Sequence, residues 1–152
     1  MESVLELSYA LDTFYFLISG MLVMWMAAGF SMLEAGMVRS MNTVEILTKN
    51  IALYSIACIM YMLIGYNIMY GDGGSLLPGF GFLVSGDNSV QSVVSGGDQA
   101  PYYSSIADFF FQVVFVATAM SVVSGAVAER MKLWAFLFFA VVMTGVLYPV
   151  HG

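Results

Sequence analysis

The stretch FFFQVVF, residues 109–115, sets Phe111 and Phe115 four positions apart, which places both rings on one face of a helix. Ring faces attract cations, so such a pair can replace part of the hydration that a small cation leaves behind. The plainer alternative is packing, since rings at this spacing in a chain with 12 Phe also suit a core or a lipid-facing stripe. Gln112, between them, can line a path or bond to a neighbouring helix. A second stretch, GFSMLEAGMVRSMNT, residues 29–43, ends a long apolar run with Glu34, and Arg39 follows in the same turn region. A carboxylate at that depth either anchors the helix end near a membrane face or takes a direct part in moving protons or cations. Nothing else in the chain has the pattern of a reacting group. There is no nucleophile–base pair, no phosphate-binding loop and no cluster of metal ligands, so no catalytic residue, metal, cofactor or enzymatic reaction is expected. Cys58 sits in an apolar run and packs as a small hydrophobe. His151 is expected in an exposed loop.

These residues need elements to hold them, and composition says what kind. Of 152 residues, 61% are hydrophobic and 9% charged, and the mean hydropathy is +0.89. A soluble domain carries about a quarter charged residues. The surplus apolar surface must face a lipid bilayer, and no basic stretch points to nucleic acid. Four runs are long enough to span, at about 13–38, 44–70, 106–128 and 133–150. At 1.5 Å per residue each reaches roughly 27 Å or more, close to the about 30 Å of a hydrocarbon core. Open strands would leave backbone groups unpaired in lipid, so the spans are helices and the fold is all-α. The start, MESVLELSYALD, lacks the basic segment of a signal peptide, so the first run is expected to remain in the mature chain. Residues 71–105, rich in Gly and Ser, read as a loop whose apolar pieces LLPGFGFLV and SVQSVV pack at the interface.

Charge gives the direction. Arg39 and Lys49 flank the link between the first two spans, and Arg130 and Lys132 flank the link between the last two. The N-terminus and the long loop hold acids but neither Lys nor Arg. Basic links belong on the cytoplasmic side, so the N-terminus and the loop are expected outside. Among the smaller polar residues, Thr118, Ser121 and Ser124 are expected to bond their own backbone or glue helices together. Asn42 and Asn50 are expected to cap or bridge backbone, and Glu129 to pair with Arg130.

The segment FLISGMLVMWMAAGFSMLEAGMVRSMNTVEILTKN resembles the first helix and inner turn of the ammonium transporter (Amt/Mep/Rh) family, with its G-x-[VI]-R-x-[KM]-N ending. IGYNIMYGDG resembles the exit of that family's second helix. FFFQVVFVATAMSVVSGAVAERMKLWAFLFF is similar to its third helix and the Gly-Ala-x-Ala-Glu-Arg turn, and GVLYPVHG to the outer end of its fourth. The matches fall in the family's order over nearly the whole chain.

The resemblance implies an eleven-helix fold around a narrow pore, of which residues 1–152 supply the first four helices as an N-terminal fragment. It implies a homotrimer in the cell's inner (plasma) membrane that conducts NH4+/NH3 inward, with a cytoplasmic P-II-type signal protein as a candidate partner. By the motif match, Phe115 corresponds to a stacked-ring gate, Phe111 to the vestibule wall, and Tyr148 to an aromatic near the outer vestibule. An interfacial belt role for Tyr148 stays open beside it. His151 does not correspond to the family's paired pore histidines, which lie beyond the region matched here. Two other readings remain: an ammonium sensor of the same family, and a small membrane subunit that scaffolds a redox complex.

Overall fold

A computed structural model describes residues 2–71, 81–84 and 102–151. The loop acids Asp72, Asp87 and Asp98, the piece SVQSVV and most of LLPGFGFLV lie outside the described residues. Among the described residues, four helices are long and apolar enough to cross a membrane, over Val4–Met37, Ser40–Tyr70, Ser105–Ala126 and Leu133–His151. Helix α1 is Glu2–Met37. Helix α2 runs over residues 43–70, as an α-helix Thr43–Met60, a π-helical turn Tyr61–Gly65 and a final turn Tyr66–Tyr70. Helix α3 is Ser105–Ala126. Helix α4 runs through Leu133–Val142, a second π-helical turn Met143–Leu147 and Tyr148–His151.

Helix α1 begins at Glu2, well before the apolar run that starts near Thr13. Glu6 sits near its start, where a carboxylate complements the positive end of the helix dipole. Helix α3 starts at a cap: the Ser104 hydroxyl accepts from the Ala107 N–H at 3.3 Å. The Ser104 N–H in turn donates to the Thr13 hydroxyl at 3.2 Å, which ties the start of α3 to α1.

Helix α3 is the centre of the bundle. Val114, Val116, Ala117, Met120, Ser121 and Ser124 along it are all 2% exposed or less. On one side they join Ala57 and Tyr61 of α2. Towards the other end, Met120 meets Leu53 of α2 with Phe136 and Ala140 of α4. Helix α1 closes against α3 at Gly20, where a Cβ would stand 2.7 Å from Phe110 Cε1 and 3.5 Å from Phe111 Cα. Only a residue without a side chain lets the two backbones meet there.

The two π turns pack against each other between α2 and α4. Gly145 makes room for Met60, whose Cε would be 3.0 Å from a Cβ there. A π turn inserts a residue and loosens the backbone ladder, leaving carbonyls for other donors. Leu63 O accepts the Leu83 N–H at 3.0 Å. The Asn67 amide donates to Leu83 O at 2.7 Å, so residues 81–84 of the long loop dock on the end of α2. Leu83 takes a left-handed φ of 66° to do so.

Candidate functional site

At the end of the bundle near residues 102–105, a row of rings runs inward between α1 and α3. Tyr103 lies 4.7 Å from Phe16 between ring centroids, Phe16 lies 5.2 Å from Phe111, and Phe111 lies 4.9 Å from Phe115. The last two contacts are edge-to-face, the arrangement in which the positive edge of one ring meets the negative face of the next. Phe111 stands about two turns and Phe115 about three turns in from Ser105. Phe115, near mid-helix, keeps 36% of its surface exposed. Tyr103, outside the spans, has its phenol pushed up from the ordinary value by burial and, secondarily, by the Asp108 carboxylate.

Tyr148 packs on the α2 side of α3, against the group containing Ala57, Tyr61, Val113 and Val114. Among the described residues no ring contact joins it to Phe111 or Phe115. Gln112 also turns to that side and donates to the Tyr70 hydroxyl at 2.8 Å. Beside it lies a residue that the reading of the sequence passed over. Asp108 is 3% exposed, and its Oδ2 accepts from the Tyr66 hydroxyl at 3.2 Å. The available signal was an isolated acid, one turn into an apolar span, with tyrosines at 66 and 70 on the facing helix.

At the opposite end Glu34 is 4% exposed, and its partners are not the nearby Arg39. Lys49 Nζ lies 3.4 Å from Glu34 Oε2, the Asn50 amide donates to the same oxygen at 3.1 Å, and the Ser124 hydroxyl donates at 3.0 Å. Lys49 is itself 6% exposed, also donates to Ser124 O at 3.2 Å, and sits 5.0 Å from the centre of the Phe136 ring. One carboxylate therefore joins α1, α2 and α3. Lys49 lies on the buried face of α2 with Ile46, Asn50 and Leu53, and that face meets α3. Asn50 bridges backbone as expected, through Ile46 O at 3.1 Å, and adds the bond to Glu34. Thr118 and Ser121 bond their own helix, at Val114 O and Ala117 O, whereas Ser124 spends its hydroxyl on Glu34.

The expected Glu129–Arg130 pair is replaced by a longer-range contact. Glu129 Oε1 accepts from the Asn42 amide at 2.7 Å and the Arg39 N–H at 3.2 Å, and lies 3.5 Å from Arg39 Nε. Glu129 holds a left-handed φ of 58°, which aims its side chain across to the other turn. Those contacts, the Asn42 bond foremost, hold its carboxyl below the usual range.

The chain is similar to known proteins over nearly its whole length. The sequence pattern of the Ammonium Transporter Family matches residues 14–152. A Synechocystis protein named as a candidate ammonium transporter is 38% identical over 99% of this chain and 33% of its own length. Ammonium transporter Amt2 of Methanocaldococcus jannaschii is 34% identical over 98% of this chain and 33% of its own. Ammonium transporter Amt2 of Archaeoglobus fulgidus is 34% identical over 93% and 28%. A solved structure called Sensor Amt Protein superposes with a TM-score of 0.80 over the whole chain at 23% identity, covering 35% of that protein, and so shares the fold. The chain spans about a third of the length of these relatives. They are named for transport and sensing, not for an enzymatic reaction, and the chain belongs to the ammonium transporter family.

Proposed function

We propose that the complete protein carries ammonium across the cell's plasma membrane, and that the ring row leading to Phe115 is its entry. The observation carrying this reading is the edge-to-face contact of Phe111 and Phe115 at 4.9 Å, with Phe115 still 36% exposed at mid-helix. A cation leaving water loses hydration that ring faces partly replace, by about 0.5 to 2 kcal/mol each. Metal ions of similar charge cannot shed a proton to become neutral. Ammonium can, so a hydrophobic constriction below the rings favours it. In this reading the rings face outward, the N-terminus is outside, and the turns bearing Arg39 and Arg130 are cytoplasmic. A homotrimer and a cytoplasmic P-II-type partner remain part of the proposal through the family resemblance. Tyr148 has its place in the wall between α2 and α4, away from the ring row.

Uptake of labelled methylammonium by cells lacking their own carriers and expressing the complete gene product tests the proposal. Saturable uptake that ammonium competes away is the expected result, and uptake no greater than in empty cells overturns it. One observation favours sensing as a second reading: the solved structure of like fold is named Sensor Amt Protein. A protein that binds methylammonium without accumulating it would be read as a receptor.

A further inference from the structure

The two oxygens of Glu34 are treated very differently. Oε2 receives the Lys49 ammonium, the Asn50 amide and the Ser124 hydroxyl, all within 3.4 Å. Oε1 is buried and receives no donor among the described residues. A buried charged acceptor without a partner forfeits its hydration, which is costly enough that such atoms are nearly always satisfied by protein or by a small bound molecule. Oε1 also has an address. It lies 3.7 Å from where a Cβ of Gly125 would be, and Glu34 and Gly125 together line a cavity of about 540 Å³ between the ends of α1 and α3.

We infer that Glu34 Oε1 and the Gly125 cavity form a binding site for one small neutral hydrogen-bond donor, water or ammonia, at the end of the bundle opposite the ring row. Neutrality follows from the charge count. Lys49 balances Glu34 at 3.4 Å, and the cavity's other charged residues, Arg39, Arg130 and Glu129, add one net positive charge, so the site does not attract a cation. Donation follows because a carboxylate oxygen only accepts. The ammonia arm rests on the proposed transport function, whereas the water arm does not. As a site for the neutral form it lies far from any ring that would recruit the cation.

The test is a structure of the complete gene product in lipid nanodiscs, detailed enough to show ordered waters, with and without ammonium chloride. A discrete non-protein peak at about 2.7 to 3.2 Å from Glu34 Oε1 is expected. A peak in both conditions is water, and a peak that needs ammonium chloride is ammonia; either supports the site. Two variants should abolish it. Glu34→Leu/Lys49→Met removes the carboxylate together with its counter-charge and leaves no polar atom at the position of Oε1. In Gly125→Val the carboxylate is untouched and the added methyls occupy the space beside Oε1. A protein donor on Oε1, an empty Oε1 in wild type, or a peak that survives both variants overturns the inference. Failure of methylammonium uptake would remove the transport reading without affecting a water peak here.

Discussion

Lys49 Nζ lies 3.4 Å from Glu34 Oε2, with the two side chains 7% and 4% exposed, so one ion pair fastens three membrane helices from within. Two charges so deeply buried hold each other in place more by mutual need than by net stabilisation. Removing either partner alone leaves an uncompensated charge, and about 3 to 5 kcal/mol of destabilisation is expected for Lys49→Met or Glu34→Gln. Removing both should cost far less than the sum. Thermal unfolding of the purified complete protein, run on both single variants and the double, measures this. Additive losses would mean that the pair is not coupled.

Gly20 governs the approach of α1 to α3. An added methyl would press on Phe110 Cε1 at 2.7 Å, with the α3 backbone at 3.5 Å behind it. The backbone distance is an ordinary contact, so the strain falls on the Phe110 ring, which must move aside. Gly20→Ala should therefore lower stability by about 1 to 3 kcal/mol, the usual range for overpacking. Phe110→Leu, placed on the Gly20→Ala background, should restore part of that loss. If Gly20→Ala unfolds at the wild-type temperature, the helices are not held at this contact.

The two basic turns are joined by Glu129, whose contacts to Asn42 and Arg39 depress its pKa. A depressed folded-state value means that the ionised form favours the joined turns. That contribution is complete above the ordinary value of 4.5 and is lost as pH falls through the lowered one. Spin labels at Ser40→Cys and Ala128→Cys, with Cys58→Ala, should give one narrow distance from neutral pH down to about 5, broadening only in stronger acid. Glu129→Gln keeps an acceptor without a titrating proton, and its distance should not respond to pH. Broadening that starts near neutrality would point to another group.

How far the residues announced all this varied with the range of the interaction. The four spans are legible because hydropathy is a local property that survives any packing. Phe111 and Phe115 share a face because spacing on one helix sets it, and their contact follows. Glu34 was legible as a misfit, but its partner was not: Arg39 is closer in sequence, while Lys49 is brought in by the turn at Ser40–Asn42 and the rotation of α2. Glu129 reaches back to Arg39 and Asn42 instead of pairing with Arg130 for the same reason, since its left-handed backbone is a property of the turn. The π turns at Tyr61–Gly65 and Met143–Leu147 add a residue without changing composition, so no periodicity reveals them.

The proposed orientation has its own check. Single cysteines at Ser40 and at Phe82, the latter 72% exposed, report on the basic turns and on the docked loop respectively. Both need Cys58→Ala, since that thiol is half-buried. In intact cells an impermeant maleimide should label Phe82→Cys and spare Ser40→Cys until the membrane is broken. The reverse pattern would put the ring row on the cytoplasmic side, and recruitment would then serve export.

Phe111 and Phe115 touch edge to face at 4.9 Å, so their contributions to cation entry should be coupled. If each ring face supplies about 0.5 to 2 kcal/mol to an entering cation, losing one slows methylammonium uptake at low concentration by about 2- to 30-fold. Phe115→Ala should show the larger loss, because Phe115 is the more exposed of the two rings, and it should also admit leak of other cations. Phe111→Ala removes the edge that orients Phe115, so its effect should shrink when Phe115 is already absent. Phe115→Leu separates the two roles, since it keeps bulk without a ring quadrupole. A Leu variant that blocks leak yet loses uptake would mark Phe115 as a cation-recruiting ring. One with normal uptake would reduce the row to packing between α1 and α3.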